Sequence, residues 1–327
     1  MDSKFPYIEV SGSHEEIGYV IGKKTGPIVR KIVKQQRQNI PNYLTYLEKS
    51  KKYYSYTKKI FPHLINELNA IAMGAKVSAY EYFFINNSEV ADIFKERCTT
   101  AVSFSPTGAI VGHNEDSDIN TLPQLYILKA TVDDTTFFGI NYAGEVPGVA
   151  ASINSHGLVQ CINSLQQTTA QFGVPKNFIA RAVLECKTIK EAIALIRKIK
   201  HASGYNHVLI QGKKAVDIEI AGNQIAVEKI KETPYIHTNH YLTLEMRQYE
   251  KFRSKSSVHR YRRARELVKL NMTHENMVGL LSDTTDSSYP ICRAKDTIAS
   301  LIFQPQLRII NICKGHPCAG DYEKYSL

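Results

Sequence analysis

The feature that most constrains the fold is a change of hydrophobic period near Cys98. The first 97 residues are mostly helical in pattern, because Ser13 opens a capping box and Leu64, Leu68 and Ile71 recur at helical spacing. From Cys98 onward, short alternating segments lie between turn residues, as in hairpin strands. Such strands, with helices clustered between them, predict an α+β fold of layered sheets rather than a doubly wound parallel sheet.

The same pattern predicts individual elements. Gly18, Gly22 and Gly26 weaken the first helix, and Pro27 predicts a second helix that begins at Ile28. Further helical segments are predicted at 176–200, with a break near residue 188, at 242–270 and after residue 273. The predicted strands are 99–104, 109–113, 124–132, 135–142, 157–162, 208–211, 216–220, 224–227, 300–303 and 308–313.

The positive charge is spread along the chain rather than gathered in one module. The net charge is +10, from 41 basic and 31 acidic residues, and half of the surplus lies on each side of Cys98. The densest basic runs, 49–52 and 260–263, are interpreted as solvated helix faces. We therefore expect no nucleic-acid partner. The alternative is that this basic protein binds an anionic polymer.

The cysteines and the apolar segments indicate a reducing compartment. The six cysteines form no CxxC pair, and no run of 18 apolar residues is present. The N-terminus lacks the apolar region of a secretory signal. These features predict reduced thiols, no zinc site, no membrane association and a cytoplasmic location.

One segment carries candidate chemistry. Cys98 opens a predicted strand, and a hairpin returns the chain so that Asp116 lies alongside it. A thiol beside a carboxylate can begin nucleophilic catalysis, whereas the alternative is a small core residue followed by a turn-end aspartate. A metal site built from 113, 115, 116 and 118 is disfavoured, because alternate strand residues face opposite sides. We therefore predict no metal at this site.

Five features of the sequence, in order along the chain, resemble those of a known family. Cys98-Thr-Thr-Ala, followed by Gly112-x-Asn-x-Asp116, resembles the acyl-coenzyme A:6-aminopenicillanic acid acyltransferase family. The family's other landmarks are matched in order by 67–75, 154–158 with 161–163, 238–241, and 291–293 with 315–318. The resemblance covers nearly the whole chain.

The resemblance implies a fold and a processing step. Members of the family are N-terminal nucleophile hydrolases with a four-layer αββα sandwich of antiparallel sheets, and their precursors cut themselves before the cysteine. Here the cut bond would be Arg97–Cys98, which separates a helical region, 1–97, from a catalytic region, 98–327, within one compact domain. The penicillin enzyme has glycine before its cysteine, so Arg97 is a departure that makes a strained bond harder to form.

The resemblance also assigns roles in a cysteine-dependent amidohydrolase or acyltransferase. Cys98 would be the nucleophile, Asp116 would orient its thiol and new α-amine, and Asn239 would donate to an oxyanion. Arg293 would hold Asp116 in place and stabilise negative charge, while Asn163 would contact the oxyanion or the substrate. The structural alternatives are a strand-end asparagine for Asn239 and a salt bridge for Arg293.

The expected partner is a small-molecule acyl amide or acyl thioester, and the acceptor is water or an amine. No bound cofactor is implied, although a coenzyme A thioester is compatible with the role of acyl donor, and a homo-oligomer is allowed. A descendant that keeps the fold but neither cleaves itself nor turns over substrate stays open as a binding module.

Overall fold

The computed structural model describes residues 4–91, 97–168 and 170–327, without the side chains of Ser88 and Arg97. The helices are α1 (His14–Asn39), α2 (Tyr43–Ile60), α3 (Pro62–Ala75), α4 (Ala79–Ile85), α5 (Lys176–Val183), α6 (Ile189–Lys198), α7 (Lys255–Leu267) and α8 (His274–Leu281). The strands are β1 (Tyr7–Ser11), β2 (Arg97–Ser105), β3 (Gly108–Asp116), β4 (Leu125–Val132), β5 (Thr135–Tyr142), β6 (Ser152–Asn154), β7 (Leu158–Ser164), β8 (Tyr205–Gln211), β9 (Lys214–Ala221), β10 (Gln224–Ile230), β11 (Tyr235–His237), β12 (Thr297–Gln304), β13 (Ile309–Lys314) and β14 (Tyr322–Ser326).

The strands form two sheets. The larger has the order β1-β4-β5-β6-β7-β8-β9-β10, and the smaller has the order β11-β2-β3-β12-β13-β14. Neighbouring strands are antiparallel except β1, which pairs in parallel with β4. The predicted α+β class with sheets dominated by antiparallel pairs is confirmed, whereas β1, β6, β11 and β14 had no predicted counterpart.

The two sheets face each other and carry helices on their outer faces. Thr100 of β2 bonds Asn163 of β7 between the sheets. Apolar residues of α7 and α8 pack on the outer face of the smaller sheet. On the outer face of the larger sheet, Arg181 of α5 stacks over Phe137 of β5 at 4.5 Å. This arrangement is the predicted αββα sandwich.

The predicted interruption of the first helix is wrong. A single helix, α1, runs through Gly18, Gly22 and Pro27. The glycines lie where α3 packs closely on α1. A Cβ atom added at Gly22, for example, would stand only 2.0 Å from the Ile71 carbonyl oxygen of α3. The loss of intrinsic helix stability is therefore offset by close packing of α1 on α3.

The predicted long helix over 242–270 is also wrong. A short 3-10 turn spans Leu244–Tyr249, and α7 begins only at Lys255. Between them the backbone pairs with the loop after β7, where Lys251 N–H donates to the Gln166 carbonyl. Long-range backbone bonding therefore overrides the helical pattern at this point.

We expect Gly22→Ala to destabilise the protein by about 1–3 kcal/mol or more, because its methyl group would overpack the α1–α3 contact. Gly279→Ala in α8 is the matched control, since an added Cβ there meets nothing within 4 Å. That control should gain up to about 1 kcal/mol from helix propensity. Urea unfolding of both variants measures the difference, and equal effects would contradict the close packing of α1 on α3.

Candidate active site

Cys98 lies where its neighbouring strand ends. The last pair between β11 and β2 is His237 with Thr100, so Cys98 lies beyond the ladder. Its N–H donates instead to Asn239 Oδ1 at 2.9 Å, and its carbonyl accepts from Arg260 Nη1 at 2.7 Å. Two side chains thus replace a strand partner and hold both backbone polar groups of the predicted nucleophile.

Arg260 is a site residue that the sequence interpretation missed. Its run, 260–263, was expected to be a solvated helix face, yet Arg260 is fully buried. Besides Cys98, its guanidinium donates to Thr99 Oγ1 at 2.6 Å and to Asn239 Oδ1 at 2.8 Å. The sequence feature that could have indicated burial of Arg260 is its spacing of four residues from Ala264, since residues four apart share one face of a helix and Ala264 lies on the buried face of α7.

The side chain of Cys98 faces the interior between the sheets. Its sulfur lies within 4.8 Å of ligand atoms of both His113 and Glu115. His113 Nε2 is 3.0 Å from Glu115 Oε2, and the Tyr142 hydroxyl donates to Glu115 Oε1 at 2.8 Å. The thiol therefore has an imidazole and a carboxylate beside it on the same buried face.

Asp116 lies on the other face of the hairpin. The register pairs Cys98 with Glu115 and pairs Asp116 with Arg97, so the alternation of side chains separates the thiol from the Asp116 carboxylate. In the uncut chain Glu115 is the carboxylate on the face of the Cys98 thiol, whereas the resemblance assigns the orienting role to Asp116. The same alternation separates His113 and Glu115 from Asp116, as the sequence predicted.

Burial of Asp116 disfavours the ionised form of its carboxyl group. Burial raises its pKa to about 6, although Arg260 and Arg293 act in the opposite direction. Thr297 Oγ1 donates to Asp116 Oδ1 at 2.6 Å, and Arg293 Nη1 lies 3.8 Å from Oδ2. Arg293 thus lies beside Asp116, as expected from the resemblance, and also pairs closely with Asp296.

The raised pKa predicts a pH-dependent stability. The folded protein holds the Asp116 proton more tightly than the unfolded chain does, so this stabilisation is complete below about pH 4 and is lost as the pH rises through about 6. Relative to Asp116→Asn, wild type should gain on the order of 3 kcal/mol between about pH 8 and pH 4. Thermal unfolding against pH measures this gain.

Asp134→Asn is a control, because the stability contributed by the Asp134 carboxylate should change with pH in the opposite direction. Lys187 bonds this exposed carboxylate and lowers its pKa, so the pair contributes stability at high pH that is lost on acidification. If wild type and Asp116→Asn change in parallel with pH, Asp116 does not titrate as its burial predicts.

Asn239 is oriented by three contacts. Its Oδ1 accepts from Cys98 N–H and from Arg260, while its Nδ2 donates to the Ser164 carbonyl at 3.1 Å. Because the first two partners only donate and the third only accepts, the amide has one orientation. In the uncut chain its donor therefore points to Ser164. Asn163, the other amide candidate, bonds Thr100 through both Oδ1 and Nδ2.

A buried ion pair holds the segment that bears Asn239. His237 Nε2 lies 3.1 Å from Glu219 Oε1, and the Leu242 and Thr243 N–H groups donate to the same carboxylate. Burial opposes both charges, but Asp217 and Glu219 raise the pKa of His237, and His237 lowers the pKa of Glu219. Glu219 on β9 therefore anchors the chain on both sides of Asn239, a role the sequence interpretation did not assign.

The comparisons with known proteins agree with this architecture. The profile of the family described as acyl-coenzyme A:6-aminopenicillanic acid acyl-transferase matches residues 103–319. The chain belongs to this family. The match to the acyl-transferase family begins within β2, just after Cys98, and runs through α7, α8 and most of the smaller sheet.

Two relatives extend the comparison. The beta-alanyl-dopamine/carcinine hydrolase of Drosophila melanogaster is 26% identical over 220 residues, which cover 59% of this acyl-transferase family member and 57% of the relative. The chain thus spans a little over half the length of that relative. The Caenorhabditis elegans ortholog of N-acylethanolamine-hydrolyzing acid amidase is 19% identical, with a TM-score of 0.50, over 64% of this chain and 94% of that one. The likeness supports the N-terminal nucleophile hydrolase fold.

Within the described ranges, none of the helices has the length and apolar character needed to cross a membrane.

Proposed function

We propose that this protein is a cysteine-dependent acyl amide hydrolase or acyltransferase with Cys98 as its nucleophile. The observation that carries the proposal is that Asn239 and Arg260 hydrogen-bond the backbone N–H and carbonyl of Cys98 at the start of β2. These bonds fix the position of the nitrogen that becomes a free amine if the preceding peptide bond is cut. Family membership supports the same chemistry.

The first proposed step is self-cleavage. The Cys98 thiol attacks the Arg97 carbonyl, the C–N bond breaks, and the nitrogen takes a proton to become the α-amine of Cys98. Water then hydrolyses the thioester, which leaves a carboxylate on Arg97 and restores the thiol. Chains of 97 and 230 residues result.

The second proposed step is turnover. The free α-amine has a reference pKa of about 7.7–8.0, so it can accept the thiol proton near neutral pH. The thiolate attacks the substrate carbonyl, the amine of the substrate leaves with a proton, and an acyl-Cys98 thioester forms. Water or a second amine then takes the acyl group. The cycle requires no bound cofactor, and a coenzyme A thioester is an alternative acyl donor.

The substrate proposal follows the fruit-fly relative. That protein is named for β-alanyl-dopamine, an amide between a short acyl group and an arylethylamine. We propose acyl amides of this class as the first substrates to assay, with free amines added as acyl acceptors.

N-terminal sequencing and the intact mass of the purified protein test the proposal. We expect two chains, the second beginning Cys-Thr-Thr-Ala, and release of amine from β-alanyl-dopamine. A single species near 37 kDa without amidase activity would instead favour the non-cleaving binding module.

A histidine base is the competing mechanism, and the geometry selects His113 as its strongest candidate. Burial, with His237 nearby, lowers the pKa of His240 to about 3, so His240 is a weak proton acceptor at neutral pH. Under the α-amine mechanism, His113→Gln and His240→Gln should each keep most activity. A loss on the order of 100-fold in a His113→Gln protein that still folds and cuts itself would support the Cys–His alternative.

A further inference from the structure

A second group of potential ligands lies far along the chain from Cys98. His14 begins α1, His63 lies in the first turn of α3, and Glu185 follows α5. One ligand atom from each lies within 4.8 Å of the other two. This cluster joins the region before Cys98 to the region after it.

The spacing of the donor atoms suits a tetrahedral cation. His14 Nε2 is 3.5 Å from Glu185 Oε1, and His63 Nε2 is 3.3 Å from Glu185 Oε2. Around a zinc ion with bonds of about 2.0–2.2 Å, two tetrahedral ligand atoms stand about 3.4 Å apart. Two imidazoles and one carboxylate can therefore bind one ion with little movement.

The hydrogen bonds around His14 present the correct nitrogen. His14 Nδ1 is 2.7 Å from Glu67 Oε2, a carboxylate that is buried and bonded by Arg181 through two nitrogens. Because Arg181 donates to both Glu67 oxygens, this carboxylate accepts from His14 Nδ1, and Nε2, which faces Glu185, is the nitrogen left to bind a cation. A carboxylate behind a metal-binding histidine is the usual supporting arrangement.

The net charge of the residues around this cluster is negative, which favours binding of a cation. Glu67 and Glu185 carry two negative charges, and Arg181, whose Nη1 lies 3.0 Å from Glu185 Oε1, carries one positive charge. With neutral imidazoles the group has a net charge of −1. The partial exposure of His63, 41%, provides access from solvent.

We propose that His14, His63 and Glu185 bind a divalent cation of the zinc class, which fastens the N-terminal helices to the catalytic region. The site is independent of the proposed amidase chemistry. One part rests on the proposed function: if the bond before Cys98 is cut, the cation links two separate chains.

Zinc titration of the EDTA-stripped full chain tests the site. We expect one zinc per chain and a Tm higher by about 5 °C when free zinc is about 100-fold above Kd. His63→Gln and Glu185→Gln should each lose that shift and the bound zinc. Cobalt(II) should bind with the same stoichiometry and without a thiolate charge-transfer band.

His259→Gln is the matched control, because His259 is a similarly exposed histidine that lies 2.9 Å from a carboxylate oxygen of Asp286. It should keep the full zinc shift, as should Cys318→Ser, which removes the exposed thiol. A zinc shift that persists in His63→Gln, or no shift in wild type, would overturn the site. Zinc binding by uncut Cys98→Ala would separate failure of this proposal from failure of self-cleavage.

Discussion

Cys98→Ala should remain a single chain of 327 residues and show no amidase activity. The expected loss is complete, because one thiol performs both the self-cleavage and the attack on substrate in the proposed mechanism. Intact-mass measurement under denaturing conditions and an amide hydrolysis assay check the two parts separately. A variant that still appears as two chains would show that another protease cuts before Cys98.

Cys313→Ala is the matched control for this experiment. Cys313 is also a buried cysteine in the smaller sheet, on β13, and it lies outside the site. Its loss should lower stability by removing buried volume but leave cleavage and activity intact. Loss of cleavage in both variants would mean that correct packing of the sheet, rather than the Cys98 thiol, limits the reaction.

Asn239→Ala should lower kcat by a factor on the order of 100–1,000 while the protein still folds and cuts itself. The change removes the acceptor for Cys98 N–H and one partner of Arg260. It also removes the amide donor that the family resemblance assigns to the oxyanion. Steady-state kinetics on the processed protein measure the effect.

The split between kcat and KM decides the role of Asn239. An unchanged kcat with a raised KM would make Asn239 a substrate-binding residue rather than one that positions the nucleophile or stabilises the transition state. Asn311→Ala on β13 is the control, since this asparagine has the same 8% exposure as Asn239. That variant should keep its kcat.

The local sequence pattern was sufficient for the fold class and for the position of Cys98. Alternating residues and the turn at 106–108 predicted the β2–β3 hairpin, and the structure confirms it with β2 and β3 each longer than predicted. The helical break near Thr188 was likewise correct, since α5 ends before it and α6 begins at Ile189. These features depend on period and turn chemistry within a few residues, which a single sequence contains.

Contacts between distant segments decided the rest. The exact register places Glu115, not Asp116, on the face of the Cys98 thiol. Because β11 ends early, the N–H and carbonyl of Cys98 have no partner on that strand. Asn239 and Arg260, more than 140 positions away along the chain, hydrogen-bond these two groups instead. No local period encodes such pairings, because they depend on which elements meet and at what depth.

The same reason explains both helix errors and the role of Arg260. Intrinsic propensity predicted a break at the glycines of α1, yet the close approach of α3 makes those glycines necessary for packing. Charge alone predicted a solvated Arg260, yet the buried polar groups around Cys98 satisfy its guanidinium. The sequence by itself thus determined the class of fold, the hairpin and the candidate nucleophile. Only the tertiary structure decided which side chains surround that nucleophile, since burial and hydrogen-bond partners exist only once the layers have packed.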